Sequence, residues 1–249
     1  MLGIIGGTGL TQLANLEITH RQVVRTPYGE PSGALTFGRI KEHEVVFLAR
    51  HGYSHTIPPH LVNYRANMWA LHEEGAHDVV SVATVGGIHV DLQPGVIVIP
   101  DQIIDYTWGR KSTYFDVVGE SLVNHVDFTE PYAGSLRALC MAAIAQAGET
   151  CVDGGVYAAV QGPRLETAAE INRLERDGAT MVGMTGMPEA VLARELGVNY
   201  ATIGVVANQA AGRGASAHII RYQDIDAVLR ESMGRVRSIL EHLVTIHGS

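Results

Sequence analysis

Short runs rich in valine and isoleucine alternate with longer helix-like stretches, and this pattern constrains the fold more than any other feature of the chain. Several runs are apolar on both faces, as the central strands of a covered sheet are. The strand candidates are 2–6, 33–40, 44–49, 78–85, 95–104, 153–160, 180–183 and 199–207. The helix candidates are 61–75, 134–147, 167–177, 187–197 and 223–246. This order predicts an α/β fold, a central mixed β-sheet flanked by helices.

No Pro-rich linker, low-complexity run or charge block divides the 249 residues, 46% of which are hydrophobic. We therefore expect a single domain over residues 1–249, large enough to bury its core without staples. A net charge of −8 disfavours a nucleic-acid partner. The two cysteines, Cys140 and Cys151, lack CxxC spacing, which favours a reducing compartment over a disulfide framework or a zinc site.

The first nine residues are apolar but lack a basic region, and they lead directly into a glycine turn. This pattern is typical of a buried strand rather than a signal peptide. No segment reaches the roughly 20 apolar residues that a membrane span needs. We expect a cytoplasmic protein without a membrane partner.

Hydroxyl, arginine and glycine residues follow several strand candidates. Thr8 lies in a glycine turn after the first strand, Arg50 follows the run 45–48, and Thr84 and Thr185 end two further strands. Backbone N–H groups at glycine turns and the planar fork of arginine both suit an oxyanion. Because these positions lie at strand ends, we expect them to share one anion pocket.

Two plainer interpretations stay open for these residues. The glycine turn at 6–9 could simply be a tight turn after an edge strand, and Arg50 could form a structural ion pair. The chain has no GxxxxGK[ST] motif, no carboxylate cluster suited to magnesium and no HExxH among its 12 histidines. We therefore expect a small, metal-free anion such as orthophosphate, and no metal or other cofactor.

Glu166 and Asn208 form a second pair of interest. Glu166 lies in the segment 161–167, and Asn208 follows the apolar run 200–207. A carboxylate only accepts hydrogen bonds, whereas an amide both donates and accepts. Together they suit a 6-oxopurine such as hypoxanthine, whose ring N–H would point at the carboxylate.

Several motifs of the chain resemble the purine nucleoside phosphorylase and methylthioadenosine phosphorylase family. They are Gly6–Gly9, Ala49–Gly52, Val62–Asn67, Trp69–Leu71, Gly162–Arg164 and Met184–Glu189. The likeness runs from residue 2 to about 245, with the motifs in the right order and spacing. It implies a trimeric α/β enzyme, or a hexamer of two trimers, that attacks a purine nucleoside at C1′ with phosphate.

The resemblance also implies roles for individual residues. Those expected to hold phosphate are Thr8, Arg50, His51, Ala83, Thr84 and Thr185. Those expected to contact the nucleoside are Val85, Gly86, Leu165, Glu166, Met184, Asn208 and Ala210. His125 would reach into the site of a neighbouring subunit.

The chain departs from the methylthioadenosine enzymes in its base pocket. Those enzymes carry a serine in the Gly-Pro-Arg loop and an Asp-x-Asp pair after the late strand, where this chain has Glu166, Asn208 and Ala210. Ordinary nucleoside phosphorylases place a histidine for the 5′-hydroxyl near the start of the last helix. Here the matching position is Ile225, with Val228 close by. An apolar lining suits a methylthio group, although Ile225 could also be a core residue.

These features together predict phosphorolysis of S-methyl-5′-thioinosine to hypoxanthine and 5-methylthioribose 1-phosphate, with Glu166 and Asn208 as the catalytic pair. The alternatives within the family are a methylthioadenosine phosphorylase and a general inosine/guanosine phosphorylase. A nucleosidase that uses water, and a non-catalytic nucleoside-binding protein, are disfavoured because the phosphate positions are filled.

Overall fold

A mixed sheet forms the centre of the computed structural model, which describes residues 1–116 and 124–248. Its strands are β1 (Leu2–Gly6), β2 (Glu17–Gln22), β3 (Leu35–Ile40), β4 (His43–Ala49), β5 (Asp78–Gly87), β6 (Ile97–Ile99), β7 (Gln102–Asp105), β8 (Cys151–Asp153), β9 (Val156–Ala159), β10 (Met181–Gly183) and β11 (Asn199–Gln209). The helices are α1 (Tyr64–Glu73), α2 (Gly134–Gln146), α3 (Ala168–Arg176), α4 (Gly186–Glu195) and α5 (Tyr222–His247). The predicted α/β fold with a central mixed sheet is confirmed.

Helices cover both faces of the sheet, and neighbouring strand residues point to opposite faces. Ile4 packs in an apolar cluster with side chains of α2 and α5. Ile5, the next residue, packs in a second cluster with side chains of α1 and α4. Both isoleucines are fully buried. Burial on two sides explains why this strand is apolar throughout.

Four of the strands that lead into the candidate site residues run parallel. β1 lies between β4 and β5, and β11 pairs with β5 along most of its length. Their carboxyl ends therefore open at one edge of the sheet, where ligands bind in folds of this kind. β10 approaches the same edge from the opposite direction, since it pairs antiparallel with the end of β5.

Several element predictions differ from the structure, each for a local reason. The strand 17–22 was not predicted because it is polar and mostly exposed. The segment 95–104 forms two strands, β6 and β7, which separate at Pro100 and pair with different neighbours. The segment 153–160 likewise ends one strand and begins another, because Gly154 and Gly155 between them adopt positive φ. The first helix begins at Tyr64 rather than at 61, after a 3₁₀ turn at Pro59–Leu61.

The glycine turn after β1 follows an interior strand, so the edge-strand alternative for it is wrong.

Among the helices of residues 1–116 and 124–248, none is long and apolar enough to cross a membrane.

Candidate active site

A cavity of about 450 Å³ opens at the carboxyl ends of the parallel strands. It gathers residues from the ends of β1, β4, β5, β10 and β11, from the loop before α3 and from the first turn of α5. The sequence-predicted residues that line it are Thr8, Arg50, His51, Thr84, Val85, Gly86, Leu165, Glu166, Met184, Thr185, Asn208, Ala210 and Ile225. Most of the predicted set therefore meets in one place.

Three predicted residues lie elsewhere. Ala83 is buried in the apolar cluster beneath α1 and α4. His125 is exposed and lies outside the cavity of its own chain. Val228 faces a separate cavity, which Arg235 also lines. The expectation that Val228 lies beside the sugar is therefore corrected. On the helix Val228 lies about 60° from Ile225, on the side opposite to Asp226, which lines the cavity.

The cavity also contains residues that the sequence analysis missed. They are Gly7, His55, Thr56, Ile57, Pro58, Pro59, Pro163, Val182, Gly183, Tyr222 and Asp226. Helical spacing could have found Tyr222 and Asp226, because Ile225 and Asp226 follow Tyr222 by three and four positions and flank it on one helix face. No pattern in the sequence marks the wall at 55–59.

The glycine turn lies directly against the guanidinium of Arg50. A Cβ atom on Gly7 would lie 2.8 Å from Arg50 Nη1 and 2.7 Å from the carbonyl oxygen of Val82. Thr84 Oγ1 lies 3.4 Å from the carbonyl oxygen of Thr8, which joins the turn to β5. Only a residue without a side chain fits at position 7, so the close approach of backbone to Arg50 depends on glycine.

Arg50 forms the ion pair that the sequence analysis kept as an alternative. Its side chain is 1% exposed and donates from Nε and Nη2 to the two carboxylate oxygens of Glu189, at 2.7 and 2.8 Å. Nη2 also donates to Ser81 Oγ at 2.5 Å, and Nη1 donates to the carbonyl of Val82 at 3.2 Å. Burial alone would lower the pKa of Arg50, but Glu189 more than offsets this and raises it.

These four hydrogen bonds leave one guanidinium N–H, on Nη1, without a partner among the described residues. Arg50 lines the cavity with this one N–H left for a ligand, and Glu189 compensates much of its charge. An anion placed there also depends on neutral donors such as the hydroxyls and backbone N–H groups around it.

His51 is buried, and its Nδ1 lies 2.8 Å from the carbonyl oxygen of Ile57. Because a carbonyl only accepts, Nδ1 must carry the proton, which leaves Nε2 as an acceptor. Burial and the neighbouring charge of Arg50 lower the pKa of His51 to about 4. The ring is therefore neutral at pH 7 and adds no positive charge to the site.

Thr185 completes this end of the cavity. It is 8% exposed and stands immediately before α4, where its hydroxyl forms no capping bond to the helix. Its backbone N–H donates to Tyr157 Oη at 3.3 Å, which fixes the main chain. The Thr185 hydroxyl lies within hydrogen-bond reach of Tyr157 and not of the helix, and it can donate to an oxyanion, as can that of Thr8 on the other side.

At the other end of the cavity, the Glu166 carboxylate forms no ion pair with a residue of 1–116 or 124–248. Arg164, the nearest arginine in the chain, donates instead to both carboxylate oxygens of Glu170, at 2.7 and 2.8 Å. Within the part of the chain that the structure describes, no side chain donates a hydrogen bond to Glu166. Burial raises the pKa of Glu166, and Arg164 only partly opposes this. A desolvated carboxylate of this kind is stabilised by a ligand that brings an N–H donor.

Asn208 lies opposite Gly86 at the cavity because β11 has a bulge just before it. The register shifts between Val206 and Asn208, so that Asn208 pairs with Gly86 of β5. Asn208 Nδ2 donates to the carbonyl of Gln209 at 2.7 Å. A bulge at a strand end aims a side chain that a regular strand would point elsewhere.

A sequence model of the phosphorylase superfamily matches residues 1–245. The chain belongs to this superfamily. The sequence-based assignment to the purine nucleoside phosphorylase and methylthioadenosine phosphorylase family is confirmed, and the chain is an enzyme of the nucleoside phosphorylase type.

Two curated relatives and one solved structure place this phosphorylase more closely. It is 51% identical to the probable S-methyl-5′-thioinosine phosphorylase of Pseudomonas syringae pv. tomato, over 97% of both chains. It is 52% identical to the protein of the same name from Xanthomonas campestris, over 94% of this chain and 93% of that one. Methylthioadenosine phosphorylase from Schistosoma mansoni, in complex with adenine, matches with a TM-score of 0.93 and 32% identity, over 99% of this chain and 91% of that chain.

Proposed function

We propose that this phosphorylase cleaves S-methyl-5′-thioinosine with orthophosphate, releasing hypoxanthine and 5-methylthioribose 1-phosphate. The observation that carries the proposal is the partly buried Glu166 carboxylate, which forms no ion pair with the described residues and lies in the same cavity as Asn208. The names of two relatives about half identical to this chain support the same substrate.

In the proposed reaction the bond between C1′ and N9 breaks, and a bond between C1′ and a phosphate oxygen forms. Positive charge develops on the sugar and negative charge on the departing base. Phosphate lies between Thr8, Thr84 and Thr185, with one N–H of Arg50 directed at it. Its negative charge then offsets the developing charge on the sugar. The neutral His51 accepts a hydrogen bond from a protonated phosphate oxygen.

The base is recognised by complementary hydrogen bonds. Glu166 accepts from N1–H of hypoxanthine, and Asn208 donates to N7 or O6 as electrons move onto the purine. An adenine ring has no hydrogen on N1, so it would leave this partly buried carboxylate without a donor. Sites that hydrogen-bond a substrate group can reject an analogue that lacks it by about 10⁴-fold.

The 5′ end of the sugar is placed beside Ile225, on the wall that α5 contributes. Ile225 accepts no hydrogen bond, so a 5′-hydroxyl buried against it would lose about 1–3 kcal/mol relative to water. A methylthio group loses nothing there and gains apolar contact. This supports a 5′-methylthio nucleoside over inosine.

A base-swap variant tests the reading of the base pocket. Glu166→Ser with Asn208→Asp and Ala210→Asp restores the residue types of the methylthioadenosine enzymes. We expect the triple variant to prefer methylthioadenosine in a phosphorolysis assay, with the phosphate KM little changed. A triple variant that still prefers the 6-oxopurine would contradict the roles proposed for these residues.

A second variant tests the sugar pocket independently. Ile225→His introduces a donor for a 5′-hydroxyl, so the use of inosine relative to methylthioinosine should rise. Val228→His is the matched control, because Val228 faces the other cavity and should leave this ratio unchanged. If the use of inosine relative to methylthioinosine is the same in both variants, Ile225 does not lie beside the sugar.

The remaining features of the proposal concern assembly and conditions. We propose a homotrimer in which His125 of one subunit approaches the site of the next, with no cofactor and with phosphate as the co-substrate. A cytoplasmic location agrees with two unpaired cysteines, Cys140 and Cys151. Light scattering of the purified protein and the activity of His125→Ala test the trimer and the shared site.

A further inference from the structure

Arg110 lies outside the cavity, yet its side chain is tied to the main chain behind it. Nε donates to Gln161 Oε1 at 3.1 Å, and Nη2 donates to the carbonyls of Gln161 at 2.8 Å and Val160 at 3.3 Å. Nη1 donates to the carbonyls of Met184 at 2.8 Å and Met187 at 2.7 Å. One guanidinium therefore joins two separate segments of backbone.

Each of these segments carries a different part of the proposed site. Residues 160–162 lead into the loop that ends in Glu166, which reads the base. Residues 184–187 carry Met184 and Thr185, which face the sugar and the phosphate. The sequence brings the two segments no closer than 22 positions apart, from 162 to 184, so tertiary contacts must set their separation.

The two segments also touch directly. The backbone N–H of Val160 donates to the carbonyl of Gly183 at 2.8 Å. A Cβ atom on Gly162 would lie 2.4 Å from Met184 Sδ, which shows how closely the loop packs on this methionine. Arg110 thus binds the outer side of a contact whose inner side forms the nucleoside pocket.

The shape of arginine suits this position. Its planar fork presents donors in fixed directions, so one side chain can bridge carbonyls on both segments. The guanidinium also lies 5.3 Å from the ring centroid of Tyr64, whose hydroxyl lies 3.2 Å from Nη1 and shares one of its two N–H groups with a carbonyl. A lysine would supply a charge without the fork.

We propose that Arg110 is a positioning residue that fixes the base-reading loop 160–166 relative to Met184 and Thr185, and that it thereby sets the selectivity of the enzyme for its base. The proposal rests on the proposed function in one respect, namely that this cavity binds a purine nucleoside. Arg110 touches neither substrate nor phosphate in this account, and it acts through Glu166 and Met184.

The test compares Arg110→Gln and Arg110→Lys with a matched control, Arg137→Gln. Arg137 is also an arginine bound to backbone carbonyls, those of Ile99 and Pro100, but it lies away from the cavity. Each variant is assayed with methylthioinosine and methylthioadenosine at saturating phosphate, and its unfolding temperature is measured.

A misplacement of about 1 Å at a site can lower the rate by about 10²-fold. We expect Arg110→Gln to lower kcat/KM for the preferred nucleoside by about that factor and to reduce the preference between the two bases about 10-fold. Arg110→Lys should change both quantities in the same direction by less. Arg137→Gln should leave the preference within about twofold even if its unfolding temperature falls, because Arg137 orders no part of the site.

A preference unchanged in both Arg110 variants would overturn the proposal and leave Arg110 with a structural role only. If Arg110→Gln fails to fold, the preference of Arg110→Lys decides between these results. The assay of the wild-type enzyme separates this proposal from the proposed function. A wild type that prefers methylthioadenosine contradicts the proposed substrate. A reduced preference in the Arg110 variants supports the positioning role, whichever of the two nucleosides the wild type prefers.

Discussion

The buried pair of Arg50 and Glu189 provides the sharpest energetic prediction. Both side chains are 1% exposed and share two hydrogen bonds, and Tyr200 Oη donates to Glu189 at 2.7 Å. Removal of one partner of a buried ion pair leaves an uncompensated charge, which costs about 3–5 kcal/mol. We expect Glu189→Leu and Arg50→Met each to lower the free energy of unfolding by about this amount.

The double variant distinguishes a charge effect from a loss of packing. With Arg50→Met and Glu189→Leu combined, no charge remains buried, so the loss should not exceed that of either single variant. The additive sum would be about 6–10 kcal/mol, which implies a coupling energy of at least about 3 kcal/mol. Tyr200 and Ser81 each lose a hydrogen-bond partner, so some destabilisation should persist.

Chemical denaturation at a fixed protein concentration measures these free energies, and phosphate-dependent activity is measured in parallel. The double variant should regain stability but not phosphorolysis, since it lacks the donor that Arg50 is proposed to present to phosphate. A double variant destabilised by the sum of the single losses would refute the buried-charge account. So would a loss of less than about 1 kcal/mol in Glu189→Leu.

Three further predictions concern the cavity itself. Asn208→Ala should lower kcat by about 10²–10³-fold with a much smaller change in KM, because its hydrogen bond strengthens mainly in the transition state; equal kcat in steady-state assays would exclude that role. The kcat/KM for the 6-oxopurine nucleoside should fall at low pH as Glu166 takes up a proton, and because the pKa of Glu166 is raised, this fall should begin above the usual range for glutamate. Glu166→Gln should abolish the fall, and a fall that persists unchanged in this variant would belong to another group. Gly7→Ala should raise the KM for phosphate, since its Cβ would press on Arg50 Nη1. Gly75→Ala is the control: Gly75 has positive φ and open space around it, so this variant should lower stability alone. A phosphate KM equal in both variants would contradict the proposed approach of phosphate to Arg50.

The sequence predicted the parts of the fold that local pattern determines. The strands β5 and β11 are apolar on both faces, so their type and place in the sheet could be inferred from period and burial. The strand 17–22 could not, because it lies at a solvent-exposed edge and carries polar side chains. Its pairing with β3 depends on residues outside the strand itself, so a short stretch of sequence does not predict it.

Most of the residues that line the cavity could be predicted from the sequence, whereas the roles assigned to them remain predictions. Strand-end position brought Thr8, Thr84 and Thr185 into one pocket. The partner of Arg50 was not predicted, because Glu189 is 139 positions away and only the folded chain joins them. The role of Arg110 could not be predicted for the same reason. Its partners are backbone carbonyls of two distant segments, and because every residue has a backbone carbonyl, the sequence does not identify them.

The measurement that tests the central claim most directly is phosphate-dependent cleavage of methylthioinosine, methylthioadenosine and inosine by the purified wild-type enzyme, compared as kcat/KM. The account predicts a strong preference for methylthioinosine over both other nucleosides. Equal use of inosine would contradict the apolar 5′ pocket at Ile225 and leave the base pocket standing. A preference for methylthioadenosine would contradict the reading of Glu166 and Asn208, on which the proposed function depends.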